Sequence, residues 1–182
     1  NGVSMGLVEL IGSLETIAGT HGGSRLDMVE NRLVGIKSRE IYEAPAAVVL
    51  HAAHRELETL VIPKDLERLK NGLSTAYADL IYNGLWFTPT RTALDALVSD
   101  VQRRVTGRVR VKLFKGSCCV VGRRSPHALY DENLATYDDG DEFDHGAAEG
   151  FIKIWGLPVE LANARGAVSR PVGGARNAKF GA

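Results

Sequence analysis

The sequence predicts an α+β protein: helices packed on a small, mostly antiparallel sheet, with an extended C-terminal tail. Three observations predict it. Helical apolar stripes occupy residues 6–19 and then 44–105. Strict alternation takes over at Arg108-Val-Arg-Val-Lys-Leu-Phe114 and returns after Lys115-Gly116, the pattern of a hairpin. Strands and helices come in separate runs instead of alternating, which excludes a doubly wound parallel sheet.

Taken in order, Leu7, Leu10, Ile11, Leu14, Ile17 and Ala18 form a helical stripe that ends at Gly19. Residues 25–37 alternate weakly and read as two short strands or one bent strand, with Gly35 allowing a bulge or a close approach. Ala44–Val61 reads as a helix with Val49, Ala53, Leu57 and Leu60 on one face and Pro45 in its first turn. Pro63 opens the next helix, whose stripe of Leu66, Leu69, Leu73, Ala76 and Leu80 runs to Gly84. Asn71-Gly72 is a potential break, because Gly after Asn is a common C-terminal cap. Thr88-Pro89 is a cap followed by proline at the first helical position; Leu94, Leu97, Val98, Val101 and Val105 follow.

After the hairpin, a short strand is expected at Phe151–Trp155, weaker strand or loop structure near Leu134–Tyr137, and a short helix over Leu157–Arg165. The expected division is a domain over 1–165 and a tail over 166–182. Alone, the glycine-rich, basic tail cannot bury enough apolar surface to fold, so it is expected to be disordered or docked on a neighbouring subunit.

Lys plus Arg equals Asp plus Glu, 22 each, which argues against a dedicated nucleic-acid binder. No apolar run approaches the ~20 residues of a membrane span, and no signal peptide is visible. The chain opens on Asn1, as a fragment or a processed product would. The adjacent Cys118 and Cys119 would point to opposite faces of a strand, so a bond between them is not expected; two thiols without a disulfide framework suit a reducing cytoplasm. One is expected to be a small core residue and the other a surface residue.

Several motifs read better as structure than as chemistry. His21-Gly22-Gly23-Ser24 follows a helix and lacks Gly-Lys-Ser/Thr, so it reads as a helix cap and turn, not a phosphate cradle. His51 and His54 lie three apart on a helix without a third metal ligand, Glu58 being read as a surface residue. Asp138–Asp144 fails the EF-hand pattern and reads as a solvated loop. Arg103, Arg104, Arg108, Arg110 and Lys112 read as an exposed strand face, with no interleaved aromatics for stacking on bases.

Residues 22–45 are different. Asp27, Glu30, Asn31, Arg32, Lys37, Ser38, Arg39, Glu40, Tyr42 and Glu43 surround two apolar runs. A carboxylate and a phenol there, Glu30 and Tyr42, can hold an α-ammonium: the carboxylate through a charge-assisted bond, the phenol as donor or acceptor. The rival reading is a purely structural network in which Glu30, Arg32, Lys37 and Arg39 neutralise one another.

The run RLDMVENRLVGIKSREIYEAP, residues 25–45, closely resembles the signature of the argininosuccinate synthase family. The segments ADLIYNGLWFTP (78–89), RVTGRVRVKL (104–113), VGRRSP (121–126), LYD (129–131) and GFI (150–152) also fit. The resemblance covers about residues 5–160. It departs at His21–Arg25, where the family usually has His-Gly-Val-Gly-Arg, and it ends before Pro171–Ala182.

The resemblance implies the C-terminal synthetase and oligomerisation domain of an enzyme of arginine biosynthesis. The family condenses citrulline with aspartate, using ATP, to argininosuccinate, AMP and pyrophosphate. It implies citrulline contacts at Glu30 and Tyr42, no catalytic residue on this chain, and ATP, with Mg2+, bound by an N-terminal domain absent from it. It also implies a cytoplasmic homotetramer that engages neither nucleic acid nor membrane. Arg25, Arg32, Lys37 and Arg39 would be the supporting network of the citrulline pair. The competing class is a non-catalytic oligomerisation module.

Overall fold

A computed structural model describes residues 3–22, 25–132, 134 and 144–166. The chain divides into two units, Asn1–Tyr130 and Asp131–Ala182. The first contains α1 (Leu7–Thr20), β1 (Arg25–Asn31), β2 (Lys37–Glu43), α2 (Pro45–Val61), α3 (Lys64–Tyr82), α4 (Pro89–Gln102), β3 (Arg108–Phe114) and β4 (Ser117–Arg124). The second contains α5 (His145–Ala164). The α+β class is as expected, but the strands form two separate antiparallel ribbons, β1–β2 and β3–β4, instead of one sheet.

The predicted caps form where the chemistry calls for them. Thr88 Oγ1 accepts from Arg91 N at the start of α4. His21 and Gly22 close α1, with Gly22 at φ +67°. Lys115 and Gly116 both have positive φ, 44° and 84°, which turns the second hairpin in the sense that matches strand twist. Helix α2 has no cap of its own. Glu15 on α1 supplies one, accepting from Ala46 N at 2.9 Å and placing a carboxylate against the positive helix end.

α1 packs on α2, α2 on the β3–β4 ribbon, and α3 on α4. The buried apolar residues are Ala18, Ala46, Val49, Val61, Ile62, Leu94 and Val101. Val61, Ile62 and Val101 form the centre, with Leu60, Leu66, Leu97 and Val105 packed around them. Tyr77 donates to Asp95 Oδ1 at 2.6 Å, joining α3 to α4.

Four expectations are corrected. Asn71-Gly72 does not interrupt α3. The stripe of partly buried Leu66, Leu73 and Tyr77 continues through it, and Lys70 is anchored on α2, which outweighs the ~1 kcal/mol that an interior glycine costs. Phe151–Trp155 is helical, and α5 extends from His145 to Ala164 through Pro158. Asp144 caps it, accepting from Gly146 N at 3.0 Å and Ala147 N at 3.3 Å, and Phe151 stacks on Trp155 at 5.4 Å, a helical i,i+4 pair. Gly35 is neither a bulge nor a close approach: it takes φ +82° in the Arg32–Ile36 turn, with open space where a Cβ would be. Glu58 is 4% exposed, not a surface residue. Leu134 lies in a turn, while 135–137, most of the acidic run and 167–182 lie outside the described residues.

Candidate substrate site

The β1–β2 ribbon has two faces, set by its register. Arg25 pairs with Glu43, Leu26 with Tyr42, Asp27 with Ile41, Met28 with Glu40, Val29 with Arg39, Glu30 with Ser38 and Asn31 with Lys37. Strand alternation therefore puts Leu26, Met28, Glu30, Ser38, Glu40 and Tyr42 on one face. Arg25, Asp27, Val29, Asn31, Lys37, Arg39, Ile41 and Glu43 lie on the other.

The second face neutralises itself. Arg25 Nε donates to Glu43 at 3.0 Å, Arg39 donates to both Asp27 oxygens at 2.8 and 2.5 Å, and Lys37 donates to Asn31 at 2.7 Å. The Arg39 guanidinium holds the Asp27 carboxyl below the usual carboxylate range. Of the four cations expected to support Glu30, only Arg32 reaches it. Arg25, Lys37 and Arg39 belong to the opposite face, because each sits an odd number of residues from the site positions.

On the first face, the Tyr42 hydroxyl donates to Glu30 Oε2 at 2.9 Å. The phenol stretches along the ribbon past the Met28–Glu40 pair to do so. Arg32 Nη1 lies 3.0 Å from Glu30 Oε1, and Arg32 Nη2 bonds Glu40 Oε1. The hydrogen bond to Glu30, with burial and the negative charges of Glu30 and Glu40, raises the Tyr42 pKa, and Arg32 only partly offsets this. The phenol therefore stays protonated and remains the donor. Burial lowers the basicity of the Arg32 guanidinium, but Glu40, Glu30 and Tyr82 outweigh it and raise its pKa.

The face carries two carboxylates and one guanidinium, a surplus of one negative charge. Glu30 is only 14% exposed in its side chain, and its Oε1 makes no hydrogen bond. The hydroxyl of Ser38, directly opposite Glu30, is buried without a hydrogen-bond partner. Spare acceptor capacity at the Glu30 carboxylate, ion-paired but not hydrogen-bonded at Oε1, and net negative charge suit a ligand ammonium. Tyr82, from the last turn of α3, donates to the carbonyl of Asn31 at 3.1 Å and fixes this end of β1. Sequence reasoning singled out Glu30 and Tyr42, and named Arg32 among four supporting cations, but it missed Tyr82. The 12-residue gap between the pair gives no hint that a residue 40 positions further on reaches the same turn.

A cleft of about 760 Å3 lies elsewhere, among α2, α3 and α4. Its buried carboxylate, Glu58, is already satisfied by Lys70 at 2.5 Å and Gln102 at 2.6 Å. His54 bonds Gln102 at 2.8 Å. The buried carboxylate of this cleft is thus already partnered, whereas the ribbon leaves the buried Glu30 Oε1 and Ser38 hydroxyl without a hydrogen bond, so the ribbon is the better candidate. Among the described residues, no group of three or more His, Cys, Asp or Glu is placed to hold a metal ion. Nor is any described helix long and apolar enough to cross a membrane. Cys118 is half-buried, which raises its thiol pKa, and Cys119 is exposed; both are free.

Residues 1–162 match the family model described as the arginosuccinate synthase C-terminal domain. Among similar proteins, the argininosuccinate synthase of Gloeobacter violaceus is 57% identical over 161 residues, covering 88% of this chain and 40% of that protein. Those of Trichodesmium erythraeum and Symbiobacterium thermophilum are each 59% identical over 161 residues, with the same coverage. The chain thus spans about two-fifths of the length of the relatives it matches. With the signature run folded into the ribbon that carries Glu30 and Tyr42, the chain belongs to the argininosuccinate synthase family, as its C-terminal domain.

Proposed function

We propose that this chain is the part of an argininosuccinate synthase that holds citrulline, through Glu30 and Tyr42. The carrying observation is the Tyr42–Glu30 hydrogen bond of 2.9 Å on a face with one surplus negative charge. The Glu30 carboxylate takes the α-ammonium of citrulline in a charge-assisted bond, with the Tyr42 phenol beside it. The amino-acid end is then fixed and the ureido group points toward ATP. The contribution is positioning, not proton transfer.

In the reaction proposed, the ureido oxygen attacks the α-phosphorus of ATP and pyrophosphate leaves. The aspartate amine then attacks the activated carbon and AMP leaves, giving argininosuccinate. ATP, its Mg2+ and aspartate are assigned to residues outside this chain. The sequence has no phosphate-cradling glycine loop, and the described residues offer no metal-ligand group. The proposed setting is cytoplasmic arginine biosynthesis in a homotetramer, with 1–165 as the synthetase and oligomerisation domain and 166–182 as a tail on a neighbouring subunit. The exposed Phe151, Ile154 and Trp155 of α5 are consistent with a covered face in such an assembly.

The test joins this chain to the N-terminal portion of the Symbiobacterium thermophilum relative and measures pyrophosphate release. The joined protein is expected to form argininosuccinate and the 182-residue chain alone is not. Glu30→Gln and Tyr42→Phe are expected to raise the citrulline KM about tenfold or more, with the ATP KM within about twofold. Equal effects on citrulline and ATP would count against the assignment.

A further inference from the structure

We propose that Arg32 is a positioning residue for citrulline: its guanidinium clamps Glu30 and Glu40 together and so fixes the carboxylate that meets Tyr42. This rests on the reading of Glu30 and Tyr42 as the citrulline pair.

Arg32 is the first residue after β1, and its backbone is locked from both sides. Arg32 N donates to Ile36 O at 2.8 Å, and its carbonyl accepts from Gly35 N at 2.7 Å. Gly35 makes this turn possible through its positive φ of 82°. One residue earlier, Tyr82 donates to the Asn31 carbonyl at 3.1 Å, so α3 holds the same end of the strand. The guanidinium therefore projects from a fixed base.

Its two terminal nitrogens divide between two carboxylates. Nη1 lies 3.0 Å from Glu30 Oε1, and Nη2 bonds Glu40 Oε1. Glu40 and Glu30 lie on the same ribbon face, two residues apart in register, where unshielded like charges would repel. Arg32 removes that repulsion and holds both. Glu30 is thus gripped at each oxygen, Oε1 by Arg32 and Oε2 by Tyr42. A carboxylate has about four acceptor sites, so capacity for an ammonium remains. A planar fork can bridge two carboxylates; a lysine ammonium is a point charge and would satisfy one at a time.

The test uses the joined synthase and, for a structural readout, the 182-residue chain with 13C-labelled tyrosine. Arg32→Gln is expected to raise the citrulline KM about tenfold, since loosening a substrate-positioning group costs on the order of 10–100-fold. Aspartate and ATP KM values should stay within about twofold, and Arg32→Lys should recover only part of the loss. In the chain, Arg32→Gln should bring the Tyr42 ionisation down toward the ordinary tyrosine range, because the freed Glu30 leaves the phenol. The charged groups facing that phenol are Glu30, Glu40 and Arg32. If Glu30 stayed in place, losing the cation would instead push the ionisation higher, and the proposal falls.

The controls separate the two readings. Glu30→Gln raising the citrulline KM while Arg32→Gln leaves it within about twofold keeps the site and overturns the clamp. Arg32→Gln raising all three KM values alike shows a general structural role and also overturns it. Glu30→Gln leaving the citrulline KM unchanged removes the site reading, and the clamp with it. Where Arg32→Gln does not fold, Arg32→Lys carries the same comparison: a selective rise in citrulline KM supports the clamp, and a wild-type KM overturns it.

Discussion

Replacing Lys70 by Met should destabilise the fold by stranding a buried carboxylate. Glu58, on α2, is 4% exposed. Lys70 Nζ from α3 reaches its Oε2 at 2.5 Å, and Gln102 Nε2 from α4 reaches its Oε1 at 2.6 Å. His54 Nδ1 lies 3.7 Å from the same Oε1. The four side chains tie three helices together. Removing one partner of a fully buried ion pair costs about 3–5 kcal/mol. Here the Lys70 side chain is 17% exposed and Gln102 still donates to the carboxylate, so the expected loss is smaller, about 2–3 kcal/mol. At about 2–4 °C per kcal/mol for a domain of this size, the melting temperature should fall by roughly 5–10 °C. Circular dichroism melts and urea titrations of the wild type and variant measure it. The double variant Glu58→Leu with Lys70→Met should be more stable than Lys70→Met alone, because it removes the orphaned charge as well as its partner. A Lys70→Met protein within about 0.5 kcal/mol of wild type, or a double variant less stable than the single, would refute the reasoning.

Three further outcomes are expected. Gly107→Ala should lose about 1–3 kcal/mol in a urea titration, because a Cβ there would sit 2.3 Å from the Arg124 carbonyl oxygen and 2.8 Å from Leu57 Cδ2. Gly72→Ala should gain about 0.5–1 kcal/mol, since it lies inside α3 with nothing within 4 Å of the new methyl; a lower melting temperature would contradict this. The Asp27–Arg39 pair lowers the folded pKa of Asp27, so its stabilisation is complete above the ordinary aspartate pKa and is lost as pH falls through the lowered one. Melting temperatures from neutral to strongly acidic pH should therefore drop less steeply in Asp27→Asn than in wild type.

Much of the local structure was legible because it depends on neighbours in sequence. Thr88-Pro89 starts a helix, Lys115-Gly116 turns a hairpin and Gly22 caps α1 through backbone preferences that act over a few residues. The alternation of Arg108, Arg110 and Lys112 with Val109, Val111 and Leu113 correctly separated the exposed face of β3 from its half-buried one. Phe151–Trp155 misled because a run of five residues, four of them apolar, fits either period; the Asp144 cap and the Phe151–Trp155 stack settle it as helix.

The sequence by itself determined the order of elements through β4, the family and the identity of the two candidate citrulline contacts, Glu30 and Tyr42. Only the tertiary structure decided which charges serve them. Pairing register sends Arg25, Lys37 and Arg39 to the far face and leaves Arg32 as the cation at Glu30. Packing likewise decided that Glu58 is buried, that α3 runs through Gly72, and that Glu15 caps a helix 31 residues away. The physical reason is range: propensity and capping act within a turn, whereas register and burial depend on partners that folding alone brings together.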